Sequence, residues 1–298
     1  MVITLTGATG FIGRKLLERF PPELNSLLVM ARRNPQFNSL IHFVRWDATR
    51  EEPSSEALNR CEAVVHLAGE PVAQRWTDEA KQRIRDSRVL GTRNLVNGLR
   101  KARFRPSVLV CASASGYYGD RGAGILDETA PQGSGFLAGV CRDWEREADA
   151  AAELGIRVVK LRIGIVLGKG GGALAKMTPP FRMGVGGRLG SGRQWMSWIH
   201  VDDLADLIRF SIENQALLGA VNAASPYPVT NEEFTGILGK VLRRPAFLPV
   251  PALSLKLMYG EMARILFDSA RMTPRAALVA GFRFGHAHLE AALRSVLS

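Results

Sequence analysis

The sequence is poor in cysteine and contains no long hydrophobic run. Its three cysteines, Cys61, Cys111 and Cys141, lie far apart, so they form neither a disulfide framework nor the ligand set of a zinc site. No apolar stretch approaches the roughly 20 residues that a membrane-spanning helix needs. The chain also runs from Met1 straight into a strand-like segment, without a basic and then apolar leader. We therefore expect a cytoplasmic protein with reduced thiols and no membrane partner.

Metal-binding and nucleic-acid-binding patterns are missing as well. None of the five histidines stands in a His-Glu-x-x-His motif, and nothing near His286 and His288 completes a site, so we expect no metal. The net charge is +11, and the basic residues are scattered rather than gathered in a tail. A basic surface attracts anionic small molecules, whereas no motif supports a nucleic-acid partner. The sequence does not define the oligomeric state.

Short apolar runs alternate with helix-like segments through the first two thirds of the chain. The runs are rich in Val, Ile and Leu without strict alternation, which is typical of parallel strands buried on both faces. This order predicts an α/β fold, a Rossmann-like doubly wound parallel sheet. The predicted strands are Val2–Leu5, Ser26–Met30, His42–Trp46, Ala63–Leu67, Ser107–Cys111 and Arg157–Arg162, and the predicted helices are Phe11–Phe20, Asp78–Lys101 and Leu137–Glu153.

The character of the sequence changes after about Leu167. Glycine-rich loops surround a short helix there, and the last third is mostly helical. We therefore expect a dinucleotide-binding Rossmann domain at residues 1–167, to which residues 199–225 return. Residues 168–198 and 226–298 would form a smaller, mostly helical C-terminal region on the substrate side.

The stretch TGATGFIG follows the first predicted strand and opens the first predicted helix. That context is typical of a dinucleotide-binding loop. Gly7 would permit the tight turn, Gly10 would let the backbone approach a pyrophosphate, and Gly13 would let the helix lie close to the sheet. The helix N-terminus adds amide groups and a partial positive charge. The alternative is a purely structural glycine turn.

The end of the second predicted strand indicates which dinucleotide binds. An acidic residue at this position usually contacts the free ribose of NAD, whereas arginine accommodates the 2′-phosphate of NADP. Here Arg32 and Arg33 follow the strand, with no acid nearby. Because guanidinium groups bind phosphate bidentately, the pair predicts NADP. The alternative is that both are solvated loop arginines.

Further candidate cofactor contacts follow the third and fourth predicted strands. Asp47 stands where its carboxylate could accept from an adenine amino group, and the small residues Ala68 and Gly69 would leave room for the cofactor. Glu70 and Arg75 follow in the same loop and could reach its ribose or phosphates. All these positions lie at carboxyl ends of strands, where such sheets bind ligands.

In chain order, the motifs TGATGFIG, HLAG, SASGYYG, LRIGIVLG and WIHVDDLA resemble the extended short-chain dehydrogenase/reductase superfamily, in its NAD-dependent epimerase/dehydratase group. A narrower similarity, to a subgroup called epimerase family proteins, is carried by SRVLGTRNLV, FLAGVCRDWE, VTNEEF and GEMARILF and spans nearly the whole chain. The resemblance implies an NADP-binding protein without an assigned substrate. It implies cofactor contacts at Gly7, Gly10, Phe11, Ile12, Arg32, Asp47, Ala48, Leu67, Ala68, Gly69, Glu70, Arg75 and Ile163.

The sequence departs from the superfamily at the catalytic Tyr-x-x-x-Lys pair, in which the lysine lowers the pKa of the tyrosine. None of the four tyrosines is followed by lysine at the fourth position, and Leu137 and Cys141 stand where the pair would be. The usual catalytic serine falls on Ala114. Cys141 has no evident histidine partner, so we do not expect a nucleophile there.

Four hydroxyl-bearing residues near the end of the fifth predicted strand are candidates for the missing chemistry. Ser113 or Ser115 could orient a substrate, or both could form a structural turn. Tyr117 or Tyr118 could donate a proton, or both could pack as rim aromatics. His200, Asp202 and Asp203 better fit the start of a helix. A polar or anionic substrate is suggested by the later segment that contains Gly170–Gly172, Arg182, Arg188, Arg193, Gln194 and Trp195.

Two functions therefore remain open. The first is an NADP-dependent oxidoreductase or epimerase-like enzyme acting on a small hydroxy or carbonyl compound, such as a nucleotide sugar. The second is a non-catalytic NADP-binding sensor or scaffold. The missing Tyr-x-x-x-Lys pair favours the second, whereas the retained cofactor motifs and substrate-side loops favour the first.

Overall fold

The computed structural model describes residues 1–34 and 39–297. Their strands are β1 (Val2–Thr6), β2 (Ser26–Ala31), β3 (Ile41–Arg45), β4 (Ala63–His66), β5 (Val108–Ala114), β6 (Ile125–Leu126), β7 (Arg157–Ile163), β8 (Ile165–Leu167), β9 (Trp195–Met196), β10 (Trp198–His200), β11 (Gly219–Ala223), β12 (Val229–Thr230) and β13 (Arg271–Met272).

The described helices comprise ten α-helices and three short 3-10 helices. The α-helices are α1 (Phe11–Arg19), α2 (Ser55–Leu58), α3 (Asp78–Lys101), α4 (Phe136–Asp149), α5 (Gly172–Arg182), α6 (Val201–Glu213), α7 (Asn231–Leu242), α8 (Ala252–Tyr259), α9 (Arg275–Val279) and α10 (Leu289–Leu297). The 3-10 helices are Ser115–Tyr117, Ala152–Leu154 and Gly260–Leu266.

Seven parallel strands form the central sheet, in the order β11-β7-β5-β4-β1-β2-β3. The strand order reverses between β1 and β4, where Ile3 pairs with Ala63 on one side and with Leu27 on the other. Such a reversal opens a crevice at the carboxyl ends of the strands, which is where doubly wound folds bind ligands. The predicted α/β fold is confirmed.

The sheet is buried on both faces, as the apolar runs predicted. Val64, Val65 and Val110 are fully buried, with helix α3 packed against α4 and helix α1 against α6. Parallel strands bury both faces in this way because the crossover helices cover the sheet. The central strands therefore give the carboxyl edge a rigid base.

A second apolar cluster lies under the C-terminal helices, where α7 packs against α10. Phe234, Leu238 and Leu293 form its centre together with Trp198. Helix α7 begins with a capping box, in which Thr230 accepts from the amide of Glu233 and the Glu233 carboxylate accepts from the Thr230 amide. Thr230 is therefore the N-cap residue of this helix.

Some element boundaries differ from the prediction. Strand β5 continues to Ala114, three residues beyond the predicted end at Cys111, and helix α4 ends at Asp149 before a separate 3-10 turn. Strand β11 was not predicted, since GAVNA has only one β-branched residue, and its pairing with β7 makes it a strand. Among the described residues, no helix is long and apolar enough to cross a membrane.

Candidate functional site

The candidate site residues gather at the carboxyl edge of the sheet, because they lie at the ends of parallel strands or in the loops that follow them. Gly7 follows β1, Arg32 follows β2, and Asp47 lies two residues after β3. Leu67 follows β4, and Ser115 follows β5. The topology thus brings together residues that are more than 100 positions apart in the chain.

The TGATGFIG loop needs its first and third glycines for close packing. Gly7 has φ +75°, and a side chain there would place Cβ 2.7 Å from the backbone carbon of Leu67. A Cβ on Gly13 would lie 2.3 Å from the carbonyl oxygen of Gly7. The loop, the start of α1 and the end of β4 are therefore in direct backbone contact, as a dinucleotide loop requires.

The first turn of α1 is left open by its cap. Gly10 is the N-cap residue, so no side chain caps the amides that follow, and its own amide donates to Gly7 O at 3.0 Å. Phe11 and Ile12 are the first two residues of the helix. Their amides therefore fit the anion-binding role that the resemblance implies. The Phe11 ring instead packs against the glycines at 168, 171 and 172, where an added Cβ would lie 2.6, 2.2 and 3.1 Å from the nearest ring atom.

Arg32 and Arg33 are both exposed at the end of β2. Asp47, after β3, uses Oδ1 to accept from the amide and hydroxyl of Thr49, at 3.2 and 2.8 Å. The carbonyl oxygen of its neighbour Ala48 accepts from Asn94 on helix α3 at 2.9 Å. The arginine pair therefore lies at the edge where a 2′-phosphate would be recognised, and Asp47 also stabilises its own turn.

The loop after β4 is held by helix α3. The Glu70 amide donates to the Ser87 hydroxyl at 2.9 Å, and its carboxylate lies 3.9 Å from Arg83. Ala68 donates its amide to the Thr6 hydroxyl at 3.2 Å. Arg75 is exposed in the same loop. The loop is therefore fixed at its start by hydrogen bonds from its backbone amides to side-chain hydroxyls, and it carries the exposed Arg75 further along.

A buried polar network lies below the ends of β5 and β7. Arg162 donates from Nε and Nη2 to the two oxygens of Glu145, both at 2.9 Å, and from Nη1 to the Tyr118 hydroxyl at 3.0 Å. Ser113 donates to Glu145 at 2.7 Å, and Tyr118 donates to Asn222 at 2.7 Å. The Glu145 carboxylate raises the pKa of Arg162 against the opposing effect of burial, so this arginine stays charged.

The network separates the four hydroxyl candidates. Tyr118 is fully buried, and burial raises its pKa to about 12. The Ser113 hydroxyl is likewise used inside the protein. Tyr117 is only half-buried, with its ring face 3.5 Å from the Arg162 guanidinium carbon, and Ser115 is also half-buried. No hydrogen bond of the Tyr117 or Ser115 hydroxyl involves another described residue.

Leu137 and Cys141 do lie beside the candidate hydroxyls, on helix α4. A Cβ at Gly116 would be 3.1 Å from Leu137 Cβ and 3.8 Å from Cys141 Sγ. Helix α4 therefore brings Leu137 and Cys141 against the turn that carries Ser115 and Tyr117. Burial raises the pKa of Cys141 to about 12, so its thiol is neutral near pH 7 and a poor nucleophile.

His200 starts helix α6, as the sequence indicates, and its Nδ1 accepts from the Asp202 amide at 3.1 Å. His286 stacks on His200 with ring centres 3.8 Å apart, and ligand atoms of His200, Asp202 and His286 lie within 4.8 Å. However, Ser295 occupies the other His200 nitrogen and Lys15 pairs with Asp202. The two rings are tilted by 23° to each other, and the contacts of His200 and Asp202 fit the helix start that the sequence indicates.

The candidate residues on the substrate side form two groups, those held by contacts within the protein and those that are exposed. Gln194 donates to the carbonyls of Leu189 and Leu266, at 3.2 and 3.1 Å, and Trp195 carries the Arg271 guanidinium on its ring at 4.0 Å. Arg188 pairs with Glu232 at 2.7 Å. In contrast, Arg182 and Arg193 are exposed.

Sequence reasoning missed two features at this edge. Trp76 and Phe136 meet edge to face with ring centres 5.1 Å apart, so the loop after β4 touches the start of α4. Arg88 on α3 extends its guanidinium to Gly69. Arg88 lies in the SRVLGTRNLV motif and Phe136 in FLAGVCRDWE, but neither motif indicates these contacts, and an arginine in a helix ordinarily predicts a solvated face.

Comparison with known proteins identifies the family. Residues 3–224 match the NAD dependent epimerase/dehydratase family, and residues 250–296 match a domain of unknown function, DUF1731. The chain is 41% identical to the Arabidopsis thaliana "Epimerase family protein SDR39U1 homolog, chloroplastic", covering 100% of this chain and 87% of that protein. It is 36% identical to the Bacillus subtilis epimerase family protein YfhF, covering 100% and 98%.

A solved structure shows the same fold over the whole chain. The crystal structure of human epimerase family protein SDR39U1 (isoform 2) with NADPH has a TM-score of 0.88 and 31% identity, and covers 99% of both chains. MoeE5, solved with UDP-glucuronic acid and NAD, has a TM-score of 0.80 at 22% identity and shows a shared fold alone.

Proposed function

The chain belongs to the NAD dependent epimerase/dehydratase family, and from this premise we propose that it is an NADP-dependent oxidoreductase or epimerase-like enzyme. Its substrate would be a small hydroxy or carbonyl compound. The observation that carries the proposal is the exposed pair Arg32 and Arg33, which follows β2 at the sheet edge that holds the glycine loop. The 31% identical human protein was solved with NADPH, which supports the same cofactor here.

The protein's own groups would hold the cofactor at three places. The open first turn of α1, at Phe11 and Ile12, would bind the pyrophosphate. Arg32 and Arg33 would bind the 2′-phosphate. Small residues at the end of β4, Ala68 among them, would leave the backbone accessible to the nicotinamide half. When bound, the cofactor supplies or accepts a hydride.

We further propose that Tyr117 exchanges the proton with the substrate oxygen. Its hydroxyl has no partner among the described residues, whereas the Tyr118 hydroxyl is bonded by Asn222 and Arg162. The Arg162 guanidinium lies over the Tyr117 ring, with Cζ 3.5 Å from the ring centre, and would fix its orientation. Tyr117 would therefore take the role that Leu137 cannot perform.

A second candidate function is a non-catalytic NADP-binding sensor or scaffold. The observation that favours it is the apolar surface of Leu137 and the neutral, buried thiol of Cys141 where the superfamily has its Tyr–Lys pair. The two functions share the cofactor site and differ only in whether a substrate is turned over.

Calorimetric titration with NADPH and NADH tests the proposal. We expect the wild type to prefer NADPH, and Arg32→Ala and Arg33→Ala to weaken NADPH binding by about tenfold or more, since each removes a charge-assisted contact to phosphate. Arg103→Ala is the matched control. Arg103 is exposed in the loop after α3, at the opposite edge of the sheet, so its removal should leave the affinity unchanged.

Equal affinity of the wild type for NADPH and NADH would contradict the choice of cofactor. A panel of hydroxy and carbonyl compounds, followed by the absorbance of NADPH, separates the two functions. Turnover of any compound supports the enzyme. NADPH binding without turnover across the panel supports the sensor.

A further inference from the structure

Arg88 brings a positive charge to the middle of the site. It lies in helix α3, and its guanidinium reaches the end of β4, where a Cβ on Gly69 would lie 3.2 Å from Cζ and from Nη2. Gly69 is exposed, so the guanidinium lies just below the surface of the crevice. The absence of a side chain at Gly69 therefore makes room for Arg88, in addition to any room that it gives to a ligand.

Part of this guanidinium is fixed by backbone oxygens. Nη1 donates to the carbonyls of Glu70 and Ile84, at 3.0 and 3.1 Å. No hydrogen bond of Nη2 involves another described residue. An arginine fork presents donors in a fixed plane, so anchoring Nη1 also sets the direction of the free Nη2 edge beside Gly69.

Among the described residues the charge of Arg88 has no acidic partner within ion-pair distance, although the Glu70 carboxylate favours the charged form from further away. No carboxylate of residues 1–34 and 39–297 forms an ion pair with it, and Glu70 pairs with Arg83 instead. The surroundings are the Trp144 ring, 5.2 Å from Cζ, and the thiol of Cys141, which burial keeps neutral. Burial correspondingly lowers the pKa of Arg88 from its ordinary value. By contrast, the other arginine beneath this site, Arg162, is fully paired with Glu145.

An unpaired cation in a desolvated position is unfavourable unless an anion comes to it. Such an anion would lie in the cofactor crevice, because Gly7 of the glycine loop packs on Leu67 and Ala68, the residues just before Gly69. We propose that Arg88 is an anion-binding residue of this site and that its Nη2 edge binds an anionic oxygen of the bound ligand. The oxygen belongs to the cofactor diphosphate or to an acid group of the substrate. The assignment of this oxygen to the cofactor diphosphate rests on the proposed function.

Titration with NADPH tests the cofactor source. We expect Arg88→Gln to lower the affinity about tenfold or more, because a charge-assisted contact is lost, and Arg88→Lys to give an intermediate value because it keeps the charge without the fork. Arg93→Gln is the control. This substitution removes the same charge from the same helix. Arg93 pairs with Glu147 away from the crevice, so the affinity for NADPH should not change. Thermal unfolding of each variant checks that it is folded, and Arg88→Lys decides the result if Arg88→Gln does not fold.

Titration of the NADPH-saturated protein with malonate or inorganic phosphate tests the substrate source. If NADPH affinity is unchanged in Arg88→Gln, a wild-type anion affinity that falls about tenfold in that variant assigns the residue to the substrate. If the wild type fails to bind NADPH but binds these anions through Arg88, the proposed function fails and the anion site stands. If the Arg88 variants bind NADPH, malonate and phosphate as the wild type does, the anion-binding role is overturned.

Discussion

Arg162 and Glu145 form a two-pronged ion pair inside the protein, with Nε–Oε1 and Nη2–Oε2 distances of 2.9 Å and side chains only 5% and 6% exposed. Replacing one member leaves an unpaired charge in the interior. We expect Glu145→Gln to lower the free energy of unfolding by about 3–5 kcal/mol, measured by urea denaturation. Glu147→Gln is the control, since its partner Arg93 is exposed and surface pairs contribute about 0–1 kcal/mol. Equal losses in the two variants would contradict a special role for the buried pair.

The contact between Gly13 and Gly7 predicts that the glycine loop cannot accept a methyl group. A Cβ on Gly13 would lie 2.3 Å from Gly7 O and 2.6 Å from Ala8 Cα. We therefore expect Gly13→Ala to push α1 from the loop and to abolish detectable NADPH binding in a calorimetric titration. Gly236→Ala, also inside a helix but with open space around its Cβ, should bind normally. Undiminished binding by Gly13→Ala would show that the loop is only a turn.

His66 predicts a stability that depends on pH. Its ring is fully buried between the hydroxyls of Thr6 and Thr92, at 2.7 and 3.1 Å, and burial lowers its pKa from 6.5 to about 4. The folded state therefore favours the neutral ring, and this contribution is complete above pH 6.5 and is lost as the pH falls towards 4. The lowered pKa of His66 therefore corresponds to roughly 3 kcal/mol of unfolding free energy.

His66→Gln tests this prediction, because glutamine can bond both hydroxyls but does not titrate. We expect its unfolding free energy to fall less between pH 7 and pH 4 than that of the wild type. His42→Gln, at an exposed position, should follow the wild-type profile. A His66→Gln profile parallel to the wild type would show that another group controls the acid limb.

The sequence predicts the sheet well because local patterns determine it. Buried parallel strands need continuous apolar runs, and TGATGFIG needs its glycines wherever a helix starts against a strand end. Strand β11 is different, since GAVNA becomes a strand only by pairing with β7. Its existence depends on a tertiary contact that no local pattern contains.

The polar network below the ends of β5 and β7 could not be predicted from the sequence, because it also depends on tertiary contacts. Nothing near Tyr118 in the sequence indicates that Asn222, 104 residues later, accepts a hydrogen bond from its hydroxyl and completes the network. Arg88 likewise stands in SRVLGTRNLV, a helical motif that carries the family resemblance but does not indicate a role for this side chain, and its lack of an ion pair with any described residue appears only when α3 and α4 are packed together. Long-range pairing of polar groups therefore determines that the Tyr118 hydroxyl is bonded, while the Tyr117 hydroxyl has no partner among the described residues.

The contrast between Tyr117 and Tyr118 predicts opposite behaviour for two otherwise equivalent substitutions. Tyr118→Phe removes a buried hydroxyl that joins Arg162 and Asn222, so it should cost about 1–3 kcal/mol of unfolding free energy. The folded fraction should retain turnover. Tyr117→Phe should leave the unfolding free energy nearly unchanged, because its hydroxyl has no bonding partner among the described residues.

The activity of Tyr117→Phe then decides whether this phenol is the proton donor. Hydride transfer to a carbonyl leaves an alkoxide that needs a proton, and removing a general acid typically lowers the rate by ~10²–10⁴-fold. We expect a loss of this size in NADPH oxidation with any compound that the wild type reduces, while NADPH affinity stays the same. Full activity of Tyr117→Phe would move the donor elsewhere, and the half-buried Ser115 hydroxyl is the next group at this strand end. A loss in Tyr118→Phe alone would show that the buried network, rather than the half-buried phenol of Tyr117, carries the proton.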